Sequence, residues 1–111
     1  MELNHVTIDT PPRAAASVVM LRDGEAGLEV LLLRRHTNSD VLGGAYVFPG
    51  GKVDATDSAP ALLARLDRTP AELQPRLGEP ALSPAQAAAF YVAAAREAAE
   101  ESGVLFLQVG A

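Results

Sequence analysis

The chain has 111 residues, 49% of them hydrophobic, no cysteine, and a formal net charge of −5. That length allows one domain with a small core, and the composition is that of a globular protein rather than a disordered one. The acidic balance (pI about 4.9) leaves no basic stripe for nucleic acid, the lack of cysteine excludes disulfides, thiolate catalysis and Cys-ligated zinc, and no run reaches the roughly 18 apolar residues of a membrane span.

Residues 1–12 end in Pro11-Pro12 and read as an arm or an edge segment; they carry no basic, apolar export signal, so a cytoplasmic location is expected. Ala14 to Leu21 is an apolar run closed by Arg22-Asp23-Gly24, which predicts a buried strand ending in a turn. Leu28 to Leu33 is a second such run. The loop between them, Asp23 to Gly27, is short enough to predict an antiparallel hairpin. Arg34 to Gly44 is polar and glycine-containing, hence a loop. Tyr46-Val47-Phe48 is a third, short strand, cut off by Pro49-Gly50-Gly51.

Four prolines (Pro60, Pro70, Pro75 and Pro80) divide residues 58–82 into short helical pieces, and Thr69-Pro70-Ala71-Glu72 reads as a capping box with proline at N1. The clearest helix follows. Ser83 is a good N-cap, Pro84 stands at N1, Gln86 completes a second capping box, and alanines favour helix through the interior. Gly103 suits the residue just past the end, so the spacing predicts a helix over Pro84 to Ser102, with Phe90, Val92, Ala94 and Ala98 facing a core. Val104 to Val109 then reads as a strand.

The end of that helix carries the chemistry. Glu97, Glu100 and Glu101 fall within about one and a half turns, where the helix dipole disfavours anions, and the i,i+3 and i,i+4 pairs set like charges on one surface. Each effect costs roughly a few tenths of a kcal/mol, all with the same sign. Such a cluster invites a counter-ion, and carboxylate oxygens suit a hard divalent cation such as Mg²⁺. Arg96, four residues before Glu100, reads either as half of a surface salt bridge or as a group that orients a metal-binding carboxylate. Gly50 and Gly51, after a strand, read either as a plain turn or as backbone brought close to a ligand.

Taken together, Gly51, five residues, Asp57, and then Arg96-Glu97-Ala98-Ala99-Glu100-Glu101-Ser102-Gly103-Val104 resemble the box motif of the Nudix hydrolases, Gly-x5-Glu-x7-Arg-Glu-apolar-x-Glu-Glu-x-Gly-apolar. Two departures stand out. Asp57 occupies the position of the first glutamate, and 38 residues (58–95) separate it from Arg96 where the family has seven, an insertion of 31 residues. Split boxes of this kind are similar to a subgroup that includes peroxisomal coenzyme A diphosphatases. Gly44 to Gly51 also fits the tail of a motif linked to coenzyme A substrates, without the arginine expected before it.

The resemblance implies an α/β fold, the Nudix α/β/α sandwich with a mixed sheet, in one domain over residues 1–111 with the insertion at 58–95. The family's later strands and last helix are absent, so the chain is expected to be truncated after the box helix and its following strand, or completed by another chain or a second copy. The implied activity is hydrolysis of the pyrophosphate bond of a nucleoside diphosphate linked to another moiety, with Mg²⁺ or Mn²⁺ as cofactor. Coenzyme A, acyl-coenzyme A, ADP-ribose and dinucleotides are the candidate substrates. A non-catalytic nucleotide- or metal-binding fragment of the same fold is the alternative. By position, Glu97, Glu100, Glu101 and the main-chain carbonyl of Gly50 would hold the metal. Arg96 would orient Glu100, and Glu100 is the candidate base within the box. Arg34, Arg35, Gly51 and Lys52 are candidates for binding substrate phosphate.

Overall fold

The computed structural model describes residues 12–34 and 44–107. The expected first strand is there, but it changes partner along its length. Its start is strand β1 (Ala15–Ser17) and its end runs into strand β2 (Leu21–Gly24). Between them Val18 donates to the Pro49 carbonyl at 2.9 Å and the Met20 carbonyl accepts from Leu31 at 3.0 Å, so the segment passes from one neighbour to the other. Strand β3 (Gly27–Val30) closes the hairpin, with Leu21 opposite Val30 and Gly24 opposite Gly27. The loop is therefore tighter than expected. Only Glu25 and Ala26 lie outside the ladder, and Gly27 turns the chain at φ 127°, a conformation that favours glycine. Strand β4 (Leu33–Arg34) pairs with strand β5 (Tyr46–Val47).

The segment read as a turn after the third strand is itself a strand. Strand β6 (Gly50–Lys52) runs antiparallel to β1, with Ala16 opposite Gly51 and Ser17 opposite Gly50. Glycine is weak in strands on propensity, and it is kept here by crowding on both sides. A Cβ at Gly51 would overlap the Glu97 carboxylate, and one at Gly50 would overlap the Ala16 carbonyl. All pairings among the described residues are antiparallel, in three two-stranded ladders.

After a short 3₁₀ turn (Ala55–Ser58), the insertion forms helix α1 (Pro60–Leu63) and helix α2 (Pro70–Leu77). Pro75 does not break α2, which continues to Gly78 at φ 76°. Only half of the expected capping box forms. Thr69 Oγ1 accepts from the Glu72 N–H at 3.2 Å, while the Glu72 carboxylate lies 3.7 Å from Arg68. Helix α3 spans Pro84–Ser102, as its caps predict. Ser83 Oγ accepts from the Gln86 N–H at 3.1 Å, Gln86 Oε1 accepts from the Ser83 N–H at 2.8 Å, and Gly103 leaves the helix at φ 75°.

Helix α3 lies between the β1–β6 ladder and the insertion, which explains its burial. Ala87, Ala88, Ala89, Ala93 and Ala98 are buried, and Leu73 of α2 is buried with them. Of the four expected core residues Ala98 is buried, while Phe90, Val92 and Ala94 are only half-buried. Small side chains on two faces let both neighbours approach the helix closely, a pattern that a one-sided apolar stripe does not describe. The expected strand from Val104 to Val109 does not form over 104–107, which has no strand partner among the described residues, and 108 and 109 lie outside them. Leu105, Phe106 and Leu107 are accordingly exposed.

Candidate active site

The C-terminal half of α3 sits over β6, and this packing gathers the two distant halves of the motif. The Gly50 N–H donates to Glu101 Oε1 at 3.0 Å, and Gly51 leaves room for the Glu97 carboxylate where any other residue would fill it. Glu100 stands between them in sequence and is exposed.

Arg96 joins the two halves. Its Nε and Nη2 donate to the two oxygens of Asp57, both at 3.0 Å, and Nη2 also donates to the Lys52 carbonyl at 3.0 Å. Nη1 donates to Glu97 at 2.9 Å and only weakly to Glu100, at 3.5 Å, while the Asp54 carboxylate lies 3.6 Å from Nη2. The expected pairing of Arg96 with Glu100 is thus the longest of its hydrogen bonds, and its chief partner is Asp57. Asp57 is 1% exposed, and its Oδ2 also accepts from the Asp54 N–H at 2.7 Å. A bidentate guanidinium–carboxylate pair is strong and fixes direction, so this contact closes the 38-residue loop of 58–95 at its base.

The electrostatics follow from these contacts. The hydrogen bond from Arg96 holds the Asp57 carboxyl below its ordinary value of 3.8, against the opposing effect of burial, and the Asp54 N–H adds to the lowering. The same hydrogen bond raises the Arg96 guanidinium further above its already high value, with Glu97 contributing. A folded-state pKa below the unfolded one adds stability above pH 3.8 that is lost as the pH falls through the lowered value. The melting temperature of the wild type is therefore expected to fall steeply below about pH 4. In Asp57→Asn that step should be smaller, as thermal melts followed by circular dichroism from pH 7 to pH 2 would show. Equal slopes in the two proteins would remove Asp57 from the account.

The sequence-predicted residues divide into two groups. Gly50, Gly51, Arg96, Glu97 and Glu101 meet directly, with Glu100 at their edge. Lys52 enters through its main-chain carbonyl, and its side chain is exposed. Arg34 lies on β4 with its guanidinium 6.0 Å from the centre of the Tyr46 ring, a contact within its own hairpin. Arg35 lies outside the described residues. The role of Asp57 as the anchor of Arg96 was missed from sequence. The signal available was its place at the defined acidic position of the first half-motif, with an arginine at a defined position of the second. A cavity of about 560 Å³, lined by Ala15, Leu77, Leu82, Phe90 and Ala94 among others, lies toward the other end of α3 and does not include the carboxylates.

Among the described residues no group of three or more His, Cys, Asp or Glu side chains is gathered as around a metal ion. The reason is visible in the contacts: Glu97 and Glu100 turn to Arg96, and Glu101 turns to the Gly50 N–H. The donor set nonetheless fits a hard divalent cation in kind. It consists of three carboxylates on neighbouring turns of one helix, with the main chain of β6 brought against them at Gly50, whose N–H meets Glu101, and at Gly51, where a Cβ would meet the Glu97 carboxylate.

No protein-family model matches the chain. Among solved structures, the chain is similar to the crystal structure of a Nudix hydrolase from Alicyclobacillus acidocaldarius. The two share 34% sequence identity and a TM-score of 0.60, over 89% of this chain and 40% of that one. That match supports the Nudix family. The fold is accordingly of the Nudix α/β type, with the box helix as α3 and the glycine pair on β6. The chain spans 40% of the length of that solved Nudix hydrolase. Against the Nudix pattern, what distinguishes this site is that the first acidic position is an aspartate, reached across an insertion.

Proposed function

We propose that the protein is a metal-dependent Nudix pyrophosphohydrolase acting on a nucleoside diphosphate linked to a second moiety. The observation that carries this reading is the convergence of Gly50 and Gly51 with Arg96, Glu97 and Glu101 across 44 or more residues of sequence, in a chain 34% identical to a Nudix hydrolase.

In this reading Glu97, Glu100, Glu101 and the Gly50 carbonyl hold Mg²⁺ or Mn²⁺. The ion supplies charge neutralisation on the pyrophosphate and acidifies the attacking water. Arg96 keeps Glu97 in place through its 2.9 Å hydrogen bond and steadies Glu100 less firmly. Glu100 is far more exposed than Glu97, so it has free lone pairs with which to accept the proton of that water. Gly51 lets the main chain of β6 approach the carboxylates, and Lys52, Arg34 and Arg35 are the cations available to the substrate phosphates.

Coenzyme A or its acyl esters are the substrate class we favour, on the split box and the Gly44 to Gly51 segment, with ADP-ribose and dinucleotides next. Action in the cytoplasm belongs to the same proposal, as does completion of the sheet by a second chain or a second copy. Among the described residues no helix is long and apolar enough to cross a membrane. One observation favours a second reading, ligand binding without turnover: Arg96 already engages Glu97 and Glu100.

A multi-turnover assay at millimolar Mg²⁺ with coenzyme A, ADP-ribose and NADH separates the two. The proposal expects release of a phosphorylated product that stops on chelation by EDTA. Stabilisation by these ligands with no product under any of these conditions would favour the binding protein instead.

A further inference from the structure

We infer that the cavity between β1, α3 and the insertion is a specificity subsite that takes an uncharged, apolar arm of the substrate. The inference rests on the proposed hydrolase reading and selects among its candidate substrates.

Helical spacing links the cavity to the carboxylates. Phe90, Ala94, Glu97 and Glu101 fall at i, i+4, i+7 and i+11 of α3, so they share one stripe of the helix. The acidic end of the stripe meets β6, where Glu101 accepts from the Gly50 N–H and Glu97 occupies the space over Gly51. The apolar end lines the cavity, together with Ser17 of β1. Ser17 is the cross-strand partner of Gly50, and its Oγ stands 3.0 Å from where a Gly50 Cβ would be. The helical rise sets the stripe from Phe90 to Glu101 at about 16 Å and puts Ala94 about one turn from Glu97. A chain attached to a phosphate at the carboxylates can therefore reach the cavity by lying along the helix.

The lining says what fits. Leu77 and Leu82 come from the insertion, Phe90 and Ala94 from α3, and Ala15 from β1. Polar groups come from Ser17, Tyr91 and Glu79, and no lysine or arginine is among the described lining residues. A phosphate would find no cation there, and the Glu79 carboxylate would repel it. An aliphatic chain with amide or hydroxyl donors meets apolar walls and a few acceptors, in a volume of about 560 Å³ that suits a small-molecule site. This favours coenzyme A and its acyl esters, whose second moiety is such a chain. ADP-ribose and dinucleotides would bring a polar sugar or a second nucleoside instead. The wall from the insertion is anchored by main chain, since the Leu82 carbonyl accepts from Gln74 Nε2 at 2.6 Å. Its side chain can be changed without losing that anchor.

The test uses S-acyl pantetheines with short to octanoyl chains, which carry no phosphate. They are titrated into the purified chain in EDTA, so that the cation site plays no part, and binding is followed by proton–nitrogen correlation NMR. Saturable shifts are expected at Leu77, Leu82 and Ala94, with affinity rising about threefold per added CH₂ until the cavity is full. Ala94→Phe fills the cavity and should bind octanoyl-pantetheine about tenfold more weakly. Should that variant not fold, Leu82→Glu decides, because it puts a charge in the apolar wall and should weaken binding by a similar factor, about tenfold. In steady-state kinetics with Mg²⁺, octanoyl-coenzyme A should show a lower KM than coenzyme A at similar kcat. No saturable binding by the wild type, shifts confined elsewhere, wild-type affinity in a folded variant, or equal KM values would each overturn the inference. Turnover of coenzyme A without acyl-pantetheine binding overturns the inference alone. Saturable binding at the cavity with no turnover of any substrate overturns the hydrolase reading instead, and the cavity then stands as a ligand site only.

Discussion

Replacing Arg96 with alanine is expected to destabilise the protein by about 3–5 kcal/mol, the largest loss from any single exposed-to-half-buried side chain in the site. The size follows from what is left behind. Asp57 is 1% exposed and would keep one N–H donor, that of Asp54, in place of the bidentate guanidinium. An uncompensated buried carboxylate must protonate or open the structure to water. The Lys52 carbonyl loses its donor as well, and the base of the 58–95 loop comes apart. Small domains are stable by only about 5–15 kcal/mol, so this variant should sit close to unfolding. Arg96→Lys keeps the charge but not the fork, and should lose about 1–2 kcal/mol. Urea denaturation checks both. The midpoint should fall in the order wild type, lysine, alanine, with the slope unchanged. An alanine variant with the wild-type midpoint would mean that the Arg96–Asp57 contact does not hold the two halves of the motif together.

The second large effect is on catalysis and leaves the fold alone. On the proposed reading, Glu101→Gln is expected to lower kcat by roughly 10²–10³, equivalent to about 3–4 kcal/mol of transition-state stabilisation, because it removes a charge on which the proposed cation would depend. Glutamine keeps an oxygen to accept from the Gly50 N–H, the contact seen at 3.0 Å, so its melting temperature should match wild type. Glu100→Gln should behave alike, since Glu100 is exposed and holds only a 3.5 Å contact with Arg96. Steady-state kinetics on the substrate panel at rising Mg²⁺ would show the loss in kcat and a partial recovery at high metal. Turnover equal to wild type in both variants would remove these carboxylates from the site.

What could be read from the sequence was what is decided locally. Helix α3 was legible end to end because Ser83, Pro84, Gln86 and Gly103 mark its limits within a few residues of the backbone groups they satisfy. The β2–β3 hairpin was legible for the same reason, with only its tightness misjudged. Strand β6 was not, because its partner β1 lies about 35 residues earlier and its first two residues are glycines, which speak for turns until the neighbour that excludes a side chain is known. The split motif supplied the identities of Gly50, Gly51, Glu97 and Glu101 but not their contacts. In particular, the pairing of Arg96 with Glu100 looked natural at i,i+4, yet the shorter and better-buried acceptor was Asp57, 39 residues away. Spacing along a helix ranks local partners and is silent about a partner returned by an insertion. The core of α3 was misjudged because alanines bury two faces when a second layer covers the helix, and α2 supplies that layer.

In the proposed reading, β6 and the end of α3 form one divalent-cation site. Anomalous diffraction at the manganese edge, from crystals of this chain soaked in Mn²⁺, tests it most directly. A peak is expected within coordination distance of Glu97, Glu100 or Glu101 and the Gly50 carbonyl. A peak only elsewhere on the molecule, or none there at concentrations that saturate binding in solution, would contradict it.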